Sequence, residues 1–279
     1  MPAPGRELPI AVFDSGIGGL TVLHECLVSL PHEDFVYFGD TARFPYGDRD
    51  QDELIDYARE LSEQLVERGA KLLVVACNSA TAAAREALER ELAGRVGLVT
   101  VVGPEARLAA AASTNRAVGL LATAATVASG AYARALASVA PDIELHAVAC
   151  PELAPLIQAG GEIDQRIVDL IEAGCAPLRA AEVDTVILGC THYPMVRPVI
   201  QRALGRGVEI ISSGEAIAKQ IAETLAAADL AAEPDRRGRY EFLCSGDPAE
   251  FRELGRRFLQ LPIAEVTRVA VAEPRTVAP

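Results

Sequence analysis

Short apolar runs of three to five residues recur along the chain, and most are followed by a stretch with helical spacing. Runs that are apolar throughout mark strands buried on both faces, as in parallel sheets. The pattern predicts strands over Pro9–Phe13, Phe35–Phe38, Leu72–Ala76 and Val99–Val102. A second series follows over Val118–Leu121, Leu145–Ala149, Val186–Leu188 and Val208–Ile211. Between them, Asp50–Arg68 reads as an amphipathic helix closed by Gly69, and Ser79–Ala93 as an Ala-rich helix. Beyond a further helix ending near Leu230, Tyr240–Cys244 suits an added edge strand and Pro248–Leu259 a closing helix. The tail from Ala264 is expected to be loosely ordered.

The strand ends fall near positions 14, 40, 77 and 103, then near 123, 150, 190 and 214. The intervals are 26, 37 and 26 against 27, 40 and 24. This match predicts an α/β fold of two pseudo-symmetric lobes, each a mainly parallel sheet flanked by helices. Residues 1–102 plus about 213–279 would form the first lobe and 103–212 the second, with short hinges near Gly103 and Gly214. Ligands of such sheets bind at the carboxyl ends of the strands, so the active site is expected in the cleft between the lobes.

Composition narrows the chemistry. The net charge of −13 argues against nucleic acid or an anionic membrane as partner. It leaves room for a small anionic ligand held by backbone N–H groups. Met1–Pro9 carries no apolar signal core, and no run approaches a membrane span, so a cytoplasmic protein with reduced cysteines is expected. The six cysteines show no C-x-x-C pair, which points away from a metal site. Lys71 and Lys219 are the only lysines, and neither follows a strand as a Schiff-base anchor would. No cofactor is expected.

The candidate chemistry lies at two strand ends. Val186–Leu188 runs through Gly189 into Cys190, Thr191, His192 and Tyr193, with Pro194 suited to the next helix start. Leu72–Ala76 runs into Cys77, Asn78 and Ser79 in the same way. Cys26, Cys175 and Cys244 read as buried apolar residues, and Cys150, beside Pro151, as structural. His192 taken alone also fits a satisfied, hydrogen-bonded residue. The loop Asp14-Ser15-Gly16-Ile17-Gly18-Gly19 is either a tight turn needing positive φ or a loop that projects Asp14 and Ser15 over a ligand. Pro45-Tyr46-Gly47 is either a plain turn or part of the same site. Two thiols on opposite sides of a ligand form a matched acid and base, the requirement for inverting a carbon stereocentre. Helix N-termini and neighbouring donors are expected to lower their pKa toward neutrality.

These motifs resemble those of glutamate racemase, a cofactor-independent member of the aspartate/glutamate racemase superfamily. The matching segments are Phe-Asp-Ser-Gly-Ile-Gly-Gly-Leu-Thr (13–21), Gly-Asp-Thr-Ala (39–42), Pro-Tyr-Gly (45–47), Ala-Cys-Asn-Ser-Ala (76–80) and Gly-Cys-Thr-His-Tyr-Pro (189–194). The resemblance implies a cytoplasmic enzyme that supplies D-glutamate for peptidoglycan. It implies Cys77 and Cys190 as the proton-transfer residues, Cys77 acting on the D-enantiomer and Cys190 on the L-enantiomer. Asp14 would assist Cys77, and His192 would assist Cys190. Asp14, Ser15, Tyr46, Gly47, Asn78, Ser79, Thr191 and His192 are the implied substrate contacts, with Thr123 and Thr126 on a further hydroxyl-rich turn. A homodimer is the expected assembly. Where the family carries a glutamate eight residues after Cys150, this chain has Gln158. The alternatives are a racemase of aspartate or another small acid, or a two-lobed binding protein with incidental thiols.

Overall fold

The computed structural model describes residues 5–273. It begins with β1 (Ile10–Asp14), α1 (Leu20–Ser29), β2 (Phe35–Gly39), α2 (Gln51–Glu67), β3 (Leu72–Val75), α3 (Asn78–Glu91) and β4 (Gly97–Thr100). Next come α4 (Val102–Ala112), β5 (Ala117–Ala122), α5 (Ala124–Ala128), α6 (Ala131–Val139), β6 (Glu144–Ala149), α7 (Leu153–Ala159) and α8 (Gln165–Ala180). β7 (Thr185–Gly189) is followed by a short 3-10 turn (Tyr193–Val196), α9 (Arg197–Leu204) and β8 (Glu209–Ile211). The chain ends with α10 (Ser213–Ala227), β9 (Tyr240–Cys244), α11 (Pro248–Leu259) and β10 (Thr267–Arg268).

Every strand pairing is parallel, in two sheets. The first has the order β10-β9-β2-β1-β3-β4 and the second β6-β5-β7-β8. Removing β9 and β10 leaves β2-β1-β3-β4, the permutation of the second sheet shifted by four strands. The doubled spacing of the sequence is thus a doubled topology, and β3 and β7 hold equivalent places.

The apolar runs explain the layering. In the first sheet Ile10, Val12, Phe35, Tyr37, Leu72 and Val74 face one core with α1, α10 and α11. Ala11, Phe13, Val36, Phe38, Leu73 and Val75 face the other with α2 and α3. Side chains alternate across a strand, so a sheet covered on both faces needs apolar residues at every position. α2 starts where Asp50 accepts the Glu53 N–H at 2.8 Å, with Asp52 and Glu53 complementing the helix dipole. It stops before Gly69, whose φ of +85° suits a residue without Cβ.

The structure differs from the sequence reading in three places. The fourth strand spans Gly97–Thr100, not Val99–Val102, because Val101 and Val102 already turn into α4. A buried apolar run does not reveal where strand gives way to helix. Tyr240–Cys244 lies one place in from the edge, between β2 and β10. The tail is ordered in part: β10 adds to β9, Val269 N–H reaches the Cys244 carbonyl at 2.8 Å, and Ala272 N–H reaches Glu60 at 2.7 Å. The open edge of β9 offers unpaired backbone groups, which the tail satisfies. The last six residues of that tail lie outside the described residues. Among the described residues no helix is long and apolar enough to cross a membrane.

Candidate active site

Both cysteines stand where equivalent strands stop. Cys77 caps α3, its Sγ accepting from the Ala80 N–H at 3.4 Å. Cys190 follows β7, and its carbonyl accepts from the Tyr193 N–H at 3.2 Å. Cys77 and Cys190 line one cavity of ≈20 Å³ together with Ser15, Tyr46, Gly47, Asn78, Ser79, Thr123, Thr191 and His192. Phe44, Pro45, Pro151, Ala154 and Pro155 complete the wall. Asp14 does not line the cavity but stands behind it, its carboxylate accepting from the Gly16 N–H at 3.0 Å and the Thr191 hydroxyl at 3.2 Å. A cavity of this size holds about one water. That is too small for an amino acid.

Polar groups knit the cleft shut. Thr21 Oγ1 donates to the Thr191 carbonyl at 3.0 Å, and Ala125 N–H to the Gly47 carbonyl at 2.9 Å. Ser79 shares hydroxyl contacts with Thr123 at 2.9 Å and Thr126 at 3.2 Å. The glycine loop after β1 works by close approach, not by positive φ, which none of Gly16, Gly18 and Gly19 adopts. A Cβ on Gly18 would lie 2.4 Å from both the His192 ring and Thr191 Oγ1.

His192 has a defined tautomer. Gln158 Oε1 receives the Ile17 N–H at 3.4 Å and meets His192 Nε2 at 2.9 Å. An amide oxygen only accepts, so Nε2 carries the proton. Nδ1 is then a lone pair, and it faces Cys190 Sγ at 3.9 Å. Burial holds the imidazole down to about 3, so it is neutral and its Nδ1 can accept a hydrogen bond from the Cys190 thiol. Phe44 and Phe258 flank the ring, with centroids at 5.3 Å and 5.4 Å.

Tyr46 is fixed from behind. Its hydroxyl donates to Asp40, which also receives Arg43 Nε at 2.6 Å and the Ser245 hydroxyl at 2.7 Å. The fully buried Arg43 reaches Glu60 at 2.6 Å and stacks over Tyr57 at 4.1 Å. The loop that carries Tyr46 and Gly47 to the cavity is therefore rigid.

The pattern of the Asp/Glu/Hydantoin racemase family matches residues 23–221. The chain belongs to that family. It is an amino-acid racemase, similar along its whole length to proteins known as glutamate racemases. That of Corynebacterium glutamicum is 42% identical over 95% of this chain and 97% of its own. The fold matches a glutamate racemase isoform from Bacillus anthracis with a TM-score of 0.89 and 33% identity, covering 96% of this chain and 99% of that one. It matches the Francisella tularensis glutamate racemase in complex with D-glutamate with a TM-score of 0.88 and 29% identity, covering 95% and 98%.

In this racemase the thiols depart from the neutral pKa expected from sequence. Burial, then the Asp14 charge, pushes Cys77 up to about 12, outweighing the donors at the start of α3. Burial also raises Cys190, with smaller upward contributions from Cys77 and Asp14. Asp14 itself rises to about 6 through burial, held back by the N–H groups of Gly19, Gly16 and Ser15 and by Thr191. In the closed cleft both sulfurs are thiols.

Cys26, Cys175 and Cys244 are fully buried in the core, and Cys150 packs beneath Tyr193, whose hydroxyl donates to its carbonyl at 2.9 Å. Lys71 is engaged by Glu33 at 2.5 Å and by the carbonyls of Arg6 and Leu230, and Lys219 faces Glu223 at the surface. Among the described residues no three His, Cys, Asp or Glu side chains gather as a metal site. Two residues bonded to the site carry no signal in the sequence: Glu105, in the first turn of α4, and Tyr132, on α6. A first-turn acid reads as ordinary helix-dipole complementation.

Proposed function

We propose that this racemase interconverts L- and D-glutamate by a two-base transfer between Cys77 and Cys190. The observation that carries the reading is that the two cysteines line one cavity from equivalent strands of the two sheets. From L-glutamate, Cys190 as thiolate takes the Cα proton and the electron pair delocalises into the α-carboxylate. The Cys77 thiol delivers its proton to the opposite face, leaving D-glutamate, a Cys190 thiol and a Cys77 thiolate. The reverse reaction starts from that state.

The surrounding groups support these roles. Neutral His192 accepts a hydrogen bond from the Cys190 thiol at Nδ1 and so orients the sulfur. Asn78 Oδ1 is buried with no partner among the described residues. The ammonium is the only strong donor that glutamate carries at neutral pH, and it fits that oxygen. Its positive charge lowers the pKa of the nearby thiols. Ser15, Ser79, Thr123 and Thr191 offer hydroxyls, and Tyr46–Gly47 backbone, to the carboxylates. The lobes open about the connections at residues 101 and 212 to admit the substrate. The enzyme works as a cytoplasmic homodimer that supplies D-glutamate for peptidoglycan.

The test is racemisation in D₂O, with aspartate assayed beside glutamate. Early D-glutamate formed from L-glutamate is expected to carry deuterium at Cα while the remaining L-glutamate stays protiated. Cys77→Ala and Cys190→Ala are each expected to abolish the reaction. Near wild-type racemisation by either variant, or return of the original hydrogen to product, refutes the two-base reading. Faster turnover of aspartate refutes the substrate.

A further inference from the structure

Behind the cavity lies a second buried polar cluster. Glu105 is fully buried in the first turn of α4. Its Oε1 accepts from the Ser213 hydroxyl, and its Oε2 from the Tyr132 hydroxyl and from Asn78 Nδ2 at 3.2 Å. Asn78 Nδ2 also donates to the Tyr132 oxygen at 2.7 Å. The proton count closes. The phenol proton and the Ser213 proton go to the carboxylate, and the two amide protons go to Glu105 and the phenol oxygen. The Asn78 amide is thereby locked with its nitrogen inward, and Oδ1 is the end left without a partner among the described residues. Asn78 lines the cavity, while Glu105 and Tyr132 do not.

We propose that Glu105 is a positioning residue: it fixes the Asn78 amide so that Oδ1 meets the substrate ammonium. By gripping Ser213 it links that orientation to the two chain connections between the sheets. The inference rests on the glutamate reading above. Asn78, Glu105 and Ser213 all stand in the first turns of helices, α3, α4 and α10. The partial positive charge at those helix ends helps a carboxylate persist there. Burial still pushes Glu105 up to about 7.

The experiment compares L-glutamate as substrate with glutarate, which has both carboxylates and no amine, as competitive inhibitor. Glu105→Leu removes both acceptors and lets the Asn78 amide turn. The expected result is a kcat/KM for glutamate lower by roughly ten- to a hundredfold, with glutarate inhibition unchanged. Glu105→Gln is expected to restore activity, because its amide oxygen can face Tyr132 and Asn78 while its nitrogen donates to Ser213 Oγ. In an Asn78→Ala background Glu105→Leu is expected to add nothing further. Equal losses for glutamate and glutarate, failure of Gln to rescue, or multiplying effects of the two substitutions overturn the proposal. If Glu105→Leu does not fold, Tyr132→Phe gives the same comparison: selective loss for glutamate supports the proposal and equal loss overturns it. Absence of glutamate racemisation by the wild type defeats the underlying reading instead.

Discussion

Gln158→Glu replaces the amide that fixes His192 with a carboxylate. The imidazole is now held down to about 3 by burial alone, its Nε2 at 2.9 Å from the Gln158 oxygen. A carboxylate about 4 Å from the ring charge, at an effective dielectric near 20, favours imidazolium by about 4 kcal/mol. That is about three pKa units, which lifts His192 to about 6. Position 158 is half-buried, so the new carboxylate keeps part of its hydration. NMR titration of the His192 ring reads the shift directly. The wild type is expected to hold the Nε2–H tautomer without protonation above about pH 5, and the variant to titrate near pH 6.

Kinetics should follow. In the variant an imidazolium faces Cys190 below about pH 6, and there the thiolate becomes easier to form. The rise of kcat/KM with pH is expected to move to lower pH, equally in both directions, because the enantiomers have equal free energy and kcat/KM for L and D must match at every pH. A wild-type His192 that titrates near its ordinary value of 6.5 refutes the argument that burial keeps the ring neutral. An unmoved His192 in the variant refutes the contact with position 158.

Other outcomes test the closed cleft and its charges. Thr191→Val removes the donor to Asp14 at 3.2 Å, and kcat/KM is expected to fall about ten- to over a hundredfold, as for about 1.5 to 3 kcal/mol; unchanged kinetics would show that Thr191 is idle. Gly18→Ala places a Cβ 2.4 Å from His192 and Thr191, so the lobes should fail to close and activity should be lost with the fold intact; full activity would mean that closure is not needed. His192 binds its proton far more weakly folded than unfolded, so it contributes stability above pH 6.5 that is lost as pH falls toward 3. Asp14 and Glu105, raised to about 6 and about 7, act oppositely: their folded forms keep protons, and stability is lost as pH rises through those values. Relative to wild type, His192→Gln should therefore gain about 2 kcal/mol between pH 7 and pH 5 in urea unfolding; a constant difference would refute the depressed imidazole.

The sequence made the scaffold legible because two-sided burial leaves no choice of residue. Ile10–Phe13 and Leu72–Val75 are apolar at every position since helices cover both faces. The strand ends inherit the doubled spacing, and that brought Cys77 and Cys190 to attention together. Electrostatics was not legible. Whether a thiol beside a helix start is lowered or raised depends on how much water reaches it, and neither Cys77 nor Asp14 announces a cavity of ≈20 Å³. The reason for Gly18 was hidden too, because its crowding comes from His192, far along the chain. Glu105 looks like any first-turn acid until Asn78, Tyr132 and Ser213 surround it.

The two halves share a topology but not their flanking chemistry, and the proposed reaction accounts for the difference. Cys77 stands near a carboxylate, whereas Cys190 stands near a neutral imidazole. Each sulfur must be base in one direction and acid in the other, so the enzyme needs one proton across the pair, never none. Charge on Cys77 raises Cys190, and Asp14 raises both. This mutual repulsion disfavours the doubly ionised state, as in a carboxylate dyad sharing one proton. Once the substrate ammonium enters, its charge favours the singly ionised pair. The asymmetry between Asp14 and His192 then sets which sulfur holds the remaining proton at rest. It cannot favour one enantiomer at equilibrium, because the free energies of L- and D-glutamate are equal. What it can divide is kcat from KM in the two directions, and exchanging the flanking groups would redistribute those terms while leaving their ratio matched.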